Sequence, residues 1–288
     1  MIKITDIFDN LFANPVLPKA PKKVLYETID SPSSEELIKV ADPSPQLELE
    51  FLKRYDEDVP LLKEVNSNIK PQKKELTLDS FVDGLKYGKV KEETAYWEGL
   101  KVKSDLDYFK RWVFAFASIH TTFKNNVEGY KMLINDMSWT ISKERLLEML
   151  EGSSLGLTSM RYKALWDFAR KFRANPKQFY KKRNETWVEL RDRLASSLYG
   201  IGQAKVSFAL NLSWPVEAKV CCLDVHLLRF LGWDKKAVPP LKKYKAMEQK
   251  WLDKCDEYGI GYNIAREMYW NKIQGKRNSR YWSYCLEK

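Results

Sequence analysis

Cysteine and histidine are both scarce in this chain of 288 residues, at four and two. Cys221 and Cys222 are adjacent and cannot readily bridge each other, and Cys255 and Cys285 stand far apart. These spacings make neither a zinc knuckle nor the dense framework of a small secreted scaffold, so a reduced, cytoplasmic setting is expected. The two histidines, His120 and His226, gather no second set of metal-binding residues around them in the sequence. No metal and no cofactor are expected. No apolar run approaches the eighteen residues of a membrane span. The opening MIKITDIFDNLF has no small-residue cleavage signal, so no secretory leader is expected. Sustained strand alternation is missing as well, which leaves an all-α class.

Positive charge is abundant, and it is unevenly placed. Residues 1–100 carry 14 Lys/Arg against 19 Asp/Glu, whereas residues 101–288 carry 35 against 20. A basic excess confined to the later part suits a polyanion-binding surface. Proline divides the chain in the same sense: eight of the twelve fall before residue 75. PVLPKAPKK, DSPSSEE and ADPSPQ are rich in turns and poor in apolar periodicity. Residues 1–80 therefore read as an N-terminal extension or small appended module, with short helices conceivable at LELEFLKRY and VPLLKEV.

Residues 81–288 read as a helical core. SFVDGLKYG and KEETAYWEGL are helix-like, and the apolar stretch DLDYFKRWVFAFASIHTTFKNNVEGYKMLI is expected to break between His120 and Asn126. Ser142 can cap SKERLLEMLEG. TSMRYKALWDFARKFRANP carries apolar residues at helical spacing and must stop by Pro176. Within LYGIGQAKVSFAL two helices meet across Gly200-Ile201-Gly202, giving a helix-hairpin-helix over residues 186–212. The glycines permit a tight turn and a close backbone approach to a ligand. Amides at the start of the second helix, at Gln203 and beyond, are unpaired within it and can hold a phosphate, with Lys205 adding charge. Ile201 can plug the space between the helices. An ordinary tight helix corner gives the same pattern.

Asp224 follows in VCCLDVHLLRFLG, where an apolar segment turns into a helix. There it can cap the helix and face a cleft. It can also stay anionic against a developing cation or activate a nucleophile. Taken alone, the segment is equally a plain N-cap.

Together these segments resemble the helix-hairpin-helix DNA glycosylase superfamily, the endonuclease III-like fold. That family's hairpin has the form LPGVGxxTA, followed by V-D-T-H-V-x-R. Leu198, Gly200, Ile201 and Gly202 match the hairpin, with Tyr199 in place of the proline. Asp224 falls on the catalytic aspartate, and Val225, His226 and Arg229 match the residues behind it. ASIHTTFKNN is similar to the helix whose glutamine probes the duplex, which puts His120 at that position. GLTSMRYKALWDFARKF is similar to the family's G-x-y-x-x-K-A segment.

The resemblance implies an enzyme acting on double-stranded DNA that extrudes a damaged or modified base and cleaves its N-glycosidic bond, with Asp224 as the catalytic carboxylate. It implies DNA contacts from Gly200, Ile201, Gly202, Gln203, Lys205 and His120. Flipped bases are held by stacking, so Tyr162, Trp166 and Tyr199 are base-pocket candidates. A monomer is expected, associated with DNA. The family's Schiff-base lysine corresponds to Ala204. Lys205, one residue on, is turned by about 100° and is expected to face phosphate. Lyase activity is therefore not expected, and the cysteine spacing leaves no iron–sulfur cluster. One alternative is a transferase adding an amine or amino acid to an activated hydroxymethyluracil-type base, as in the branch resembling alpha-glutamyl/putrescinyl thymine pyrophosphorylases. Another is a non-catalytic DNA-binding protein.

Overall fold

A computed structural model describes residues 76–235 and 237–273. The short helices expected near residues 50 and 60, Cys285 and the basic aromatic tail lie outside the described residues. Among the described residues there are eleven α-helices, two 3-10 turns and no strand, as the all-α reading requires. The helices are α1 (Leu78–Asp83), α2 (Tyr87–Gly99), α3 (Asp105–Ala117), α4 (Phe123–Asn135), α5 (Lys143–Glu151), α6 (Thr158–Ala174), α7 (Trp187–Ser197), α8 (Gln203–Ser213), α9 (Val225–Phe230), α10 (Leu241–Glu257) and α11 (Tyr262–Ile273). None is long and apolar enough to cross a membrane.

The boundary expected at residue 80 falls inside α1. Leu78, Phe81 and Val82 are buried with Trp251, Leu252 and Tyr269, and the Phe81 ring meets that of Tyr269 edge-on at 5.4 Å. Three apolar side chains on one short helix need such a partner surface, so the helical core begins ahead of residue 80.

Helix α3 is the axis of the other packing region. Every residue from Arg111 to Ala117 is buried, so the helix is enclosed on all sides rather than along one stripe. Helices α4, α6 and α8 pack around it. Phe168 of α6 stacks on both Phe109 and Trp112, with ring centroids 5.0 and 5.8 Å away. Ser104 starts the helix by accepting the Asp107 N–H, and Asp105 and Asp107 complement the positive helix end.

The long apolar segment does break, but earlier than expected: α3 ends at Ala117, and α4 begins after Thr122, which caps it, so Phe123 to Asn126 are already helical. Ser142 caps α5 by accepting the Arg145 N–H at 3.1 Å. Helix α6 ends at Ala174, ahead of Pro176.

Two loops beside these helices contain non-glycine residues in the left-handed region, His120 at φ 44° and Leu157 at φ 50°. One buried guanidinium holds both loops. Arg161, on the core face of α6, donates to the carbonyls of Phe116 (2.7 Å), Ala117 (3.1 Å) and Ile119 at the end of α3. It also donates to Leu155 (3.1 Å) and Gly156 (2.9 Å) ahead of α6. The last carbonyls of a helix have no partner within it, and a cation at that end also meets the negative pole of the helix. All five hydrogen bonds go to backbone oxygens, and burial pulls the guanidinium down to about 10. Arg161→Met should cost about 3 kcal/mol or more, because it strands several buried acceptors at once. Urea denaturation of the purified variant measures this, and a change below about 0.5 kcal/mol would show that the clasp does not stabilise the fold.

Candidate active site

Residues 220–223 form a buried, non-helical segment between α8 and α9. Such a segment must find partners for its backbone polar groups outside any regular ladder. It finds them on three helices. Asn211 of α8 donates to the Val220 carbonyl at 2.9 Å. From α10, Glu248 accepts the Cys221 N–H at 2.9 Å, and the Tyr244 hydroxyl donates to the Cys221 carbonyl at 3.1 Å while accepting the Leu223 N–H at 3.3 Å. Arg266 of α11 donates through Nε to the Cys222 carbonyl at 3.0 Å. Glu248 is itself paired with the fully buried Arg191 of α7.

Asp224 emerges from this clamp at the start of α9. Its Oδ1 accepts the amides of His226 and Leu227, both at 3.0 Å, so it is the N-cap that its position suggested. Its Oδ2 faces Arg266 Nη2 at 3.3 Å. The carboxylate remains partly exposed. The capping geometry leaves one oxygen for a role beyond the helix, so capping and chemistry are not exclusive.

Lys205 departs from expectation. Its Nζ donates to Ser118 Oγ at 2.9 Å, at the end of α3, and lies over the Phe208 ring at 5.3 Å. Burial pulls its amine below the usual lysine range, with Arg266 and Arg161 adding repulsion against the pull of Cys222 and Asp224. It therefore points into the site rather than out to a phosphate. Helix α8 lies between α3 and the Asp224 segment, so two successive positions find interior partners. Ala204 packs against the cluster containing Cys221, Leu223 and Leu227, and the long lysine stem carries its amine to Ser118.

The hairpin is formed as expected. Helix α7 opens with a capping box of Thr186 and Glu189. Helix α8 begins at Gly202 with no side-chain cap bond. Gly200 sits at φ 69°, and a Cβ there would come within 3.1 Å of both Ala164 Cβ and Met160 Sδ on α6. Ile201 is buried as the plug, while Tyr199, Gly200 and Gly202 are exposed and Gln203 is half-buried. The Tyr199 N–H donates to Asp167 of α6, fixing the turn against that helix.

Of the other candidates, His120 is exposed beside Ser118, at the end of α3. The His226 ring meets Trp270 of α11 edge-on at 5.0 Å. The Trp166 ring lies under Lys143 of α5, whose Nζ is 5.7 Å from its centroid. Tyr162 is half-buried on α6.

Sequence reasoning passed over α11, which supplies Arg266, Glu267, Tyr269 and Trp270 around Asp224. Tyr269 is pushed up to about 12, by burial and then by the Asp224 charge. The available signal was Arg266 and Glu267 standing among Tyr262, Ala265 and Tyr269, charges inside an otherwise core-facing helix. Among the described residues, no group of three or more His, Cys, Asp or Glu is arranged to hold a metal ion.

Among the described residues, a helical frame, a glycine-turned hairpin and an aspartate capping the next helix together make the fold of the helix-hairpin-helix DNA glycosylases. No family model matches the chain, and no curated protein matches it. Solved structures do. The 8-oxoguanine DNA glycosylase of Methanocaldococcus jannaschii has a TM-score of 0.55 and 21% identity over 65% of this chain and 87% of its own. The glycosylase/lyase of the same organism, in complex with a 15mer DNA containing 8-oxoguanine, has a TM-score of 0.56 and 21% identity, covering 69% and 95%. The 8-oxoguanine DNA glycosylase of Thermotoga maritima has a TM-score of 0.50 and 17% identity, covering 80% and 97%.

The two hairpin glycines should respond differently to alanine. Gly200→Ala is expected to lose about 1–3 kcal/mol, from a left-handed backbone and a tight contact with α6. Gly202→Ala meets open space and should fold with a loss of no more than about 1 kcal/mol. Thermal melts of the two single variants make the comparison, and equal melting temperatures would contradict the assigned turn.

Proposed function

We propose that this chain is a DNA glycosylase that binds double-stranded DNA as a monomer, extrudes a damaged or modified base and cleaves its N-glycosidic bond. The observation that carries this reading is the arrangement about Phe208, next to the hairpin: the Lys205 amine lies over its ring at 5.3 Å, and Arg266, whose Nη2 faces Asp224 Oδ2 at 3.3 Å, lies over the same ring at 5.3 Å. The glycosylase fold shared with enzymes acting on 8-oxoguanine supports it.

In this reading the hairpin start at Gly202, with Gln203 behind it, positions the duplex through a phosphate. His120 reaches the duplex from the end of α3, and Leu157 is the exposed apolar residue on the neighbouring loop. Neither hairpin contact reads a base, so the hairpin fixes register while the pocket selects. Asp224 offers a negative oxygen to the sugar as the glycosidic bond breaks and cationic character grows at the anomeric carbon. That interaction is strongest in the transition state, which makes it catalytic rather than merely binding. Asp224→Asn preserves capping and should change stability by less than about 1 kcal/mol. It should slow single-turnover base release by roughly 10²-fold. Duplexes containing 8-oxoguanine and other damaged bases are the first substrates for this assay. Full activity of the asparagine variant would remove Asp224 from the chemistry.

The inward amine changes the reading of Lys205. The expectation of simple hydrolysis rested on Ala204 standing at the family's amine position and on Lys205 facing phosphate. Turned inward to Ser118 and Phe208, with its basicity lowered by burial, it is suited to attack the anomeric carbon itself. The departing base leaves with the bonding electrons and is protonated. The amine loses its proton, and opening of the sugar ring gives an imine that borohydride reduces to a stable amine. Borohydride should therefore trap a covalent complex with abasic-site DNA, and Lys205→Ala should abolish it. Only the neutral amine attacks. Trapping should thus rise with pH and level off below the range of an exposed lysine, because the amine is shifted down. An active wild-type enzyme that yields no trapped complex would restore simple hydrolysis.

A further inference from the structure

Arg266 stands between two carboxylates. Its Nη2 faces Asp224 Oδ2 at 3.3 Å, and its Nη1 donates to Glu267 Oε1. Its Nε holds the Cys222 carbonyl at 3.0 Å, and the guanidinium lies over Phe208 with its carbon 5.3 Å from the ring centroid. Arg266 and Glu267 are both buried.

This arrangement poses a problem for the proposed chemistry. A carboxylate stabilises a sugar cation through its negative field. A guanidinium beside that carboxylate turns the charge into a dipole, whose field falls off faster and is weaker at the sugar. Fixing Asp224 with an arginine would therefore blunt it. A second carboxylate on the other edge of the same guanidinium removes the difficulty. One cation then serves two anions, and the trio keeps a net negative charge while all three side chains stay oriented.

We propose that Arg266 and Glu267 are positioning residues for Asp224. Arg266 fixes the carboxylate and the segment leading to it, and the charge of Glu267 offsets the guanidinium so that Asp224 still presents a negative field to the sugar. This rests on the glycosylase reading. It goes beyond that reading by giving a function to two residues on α11 that touch neither base nor sugar.

The surroundings of Glu267 are mixed. Arg266 on its own helix draws it toward the ionised form. Burial opposes ionisation most strongly, Asp224 at the start of α9 and Glu93 of α2 add to it, and the net effect is to raise Glu267 above the usual carboxylate range. Lys89 pairs with Glu93 at 3.6 Å, the Cys222 carbonyl accepts from Arg266 Nε at 3.0 Å, and the Lys205 amine and the Arg266 guanidinium both lie over the Phe208 ring. Acidification therefore protonates Glu267 earlier than an exposed glutamate, and the negative charge facing the sugar falls with it.

Glu267→Gln isolates the charge, because the amide oxygen can still accept from Arg266 at nearly the same volume. Single-turnover base release should slow by roughly tenfold, while affinity for duplex carrying an abasic-site analogue and the melting temperature hold. The wild-type rate should fall on the acid side above the usual glutamate range. The glutamine variant should be slower throughout, should keep the fall that protonation of the Lys205 amine imposes, and should lack the further acid limb due to Glu267. Glu267→Asp should recover part of the rate. In an Asp224→Asn background, Glu267→Gln should add nothing further, because its effect passes through Asp224.

A wild-type rate and acid limb in a folded Glu267→Gln enzyme would overturn the proposal and leave the glycosylase reading intact. So would a variant that merely melts earlier with an unchanged rate per folded molecule, or a full tenfold effect in the Asp224→Asn background. A wild-type chain that releases no base from any damaged duplex, while binding it, would instead overturn the glycosylase reading and this inference with it.

Discussion

The constraint on which the site depends is the burial of residues 220–223 outside any helix. Backbone amides and carbonyls in a dry interior must be paired, and each unpaired group costs about as much as a lost hydrogen bond. Here the partners are side chains from α8, α10 and α11, so the path of four residues is fixed by three helices at once. Asp224 inherits that fixation. Its two amide contacts then set the carboxylate at the start of α9. Placement of the reactive oxygen is thus a result of tertiary packing, and local helix propensity contributes little to it.

Buried arginine is the material from which much of this is built. Arg191 joins α7 to α10 by pairing with Glu248, Arg266 joins α11 to the Asp224 segment, and Arg161 joins the end of α3 to the start of α6. A guanidinium suits these places because its planar array of donors can satisfy several acceptors from different segments. Replacing a buried ion pair by apolar residues of similar volume is often neutral for stability. The return from these arginines is therefore better sought in where they hold other groups.

The sequence made the helical class legible, and with it the break after α3, the Ser142 cap and the glycine turn, because these follow from short-range rules. Asp224 was visible as a cap for the same reason, and its wider role came only from resemblance. Lys205 was misread because a helical rotation angle locates a Cα, whereas a lysine carries its charge several ångströms away along a flexible stem. Arg266 and Glu267 lie more than forty residues beyond Asp224, and only the docking of α11 brings them beside it. Arg161 left a fainter mark: a charged residue in register with Ala164, Leu165 and Phe168 on the buried face of α6.

Arg161 has a mechanical consequence as well. The loops bearing His120 and Leu157 belong to different parts of the chain, yet a single side chain grips the backbone of both. The two loops therefore behave as the jaws of a caliper with a common pivot. Their spacing is set by the reach of one guanidinium. An insertion or deletion in either loop would shift one jaw relative to the other, while an ordinary side-chain substitution at its tip would leave the gap unchanged. The tips are thus free to vary in chemistry over a span that is held constant.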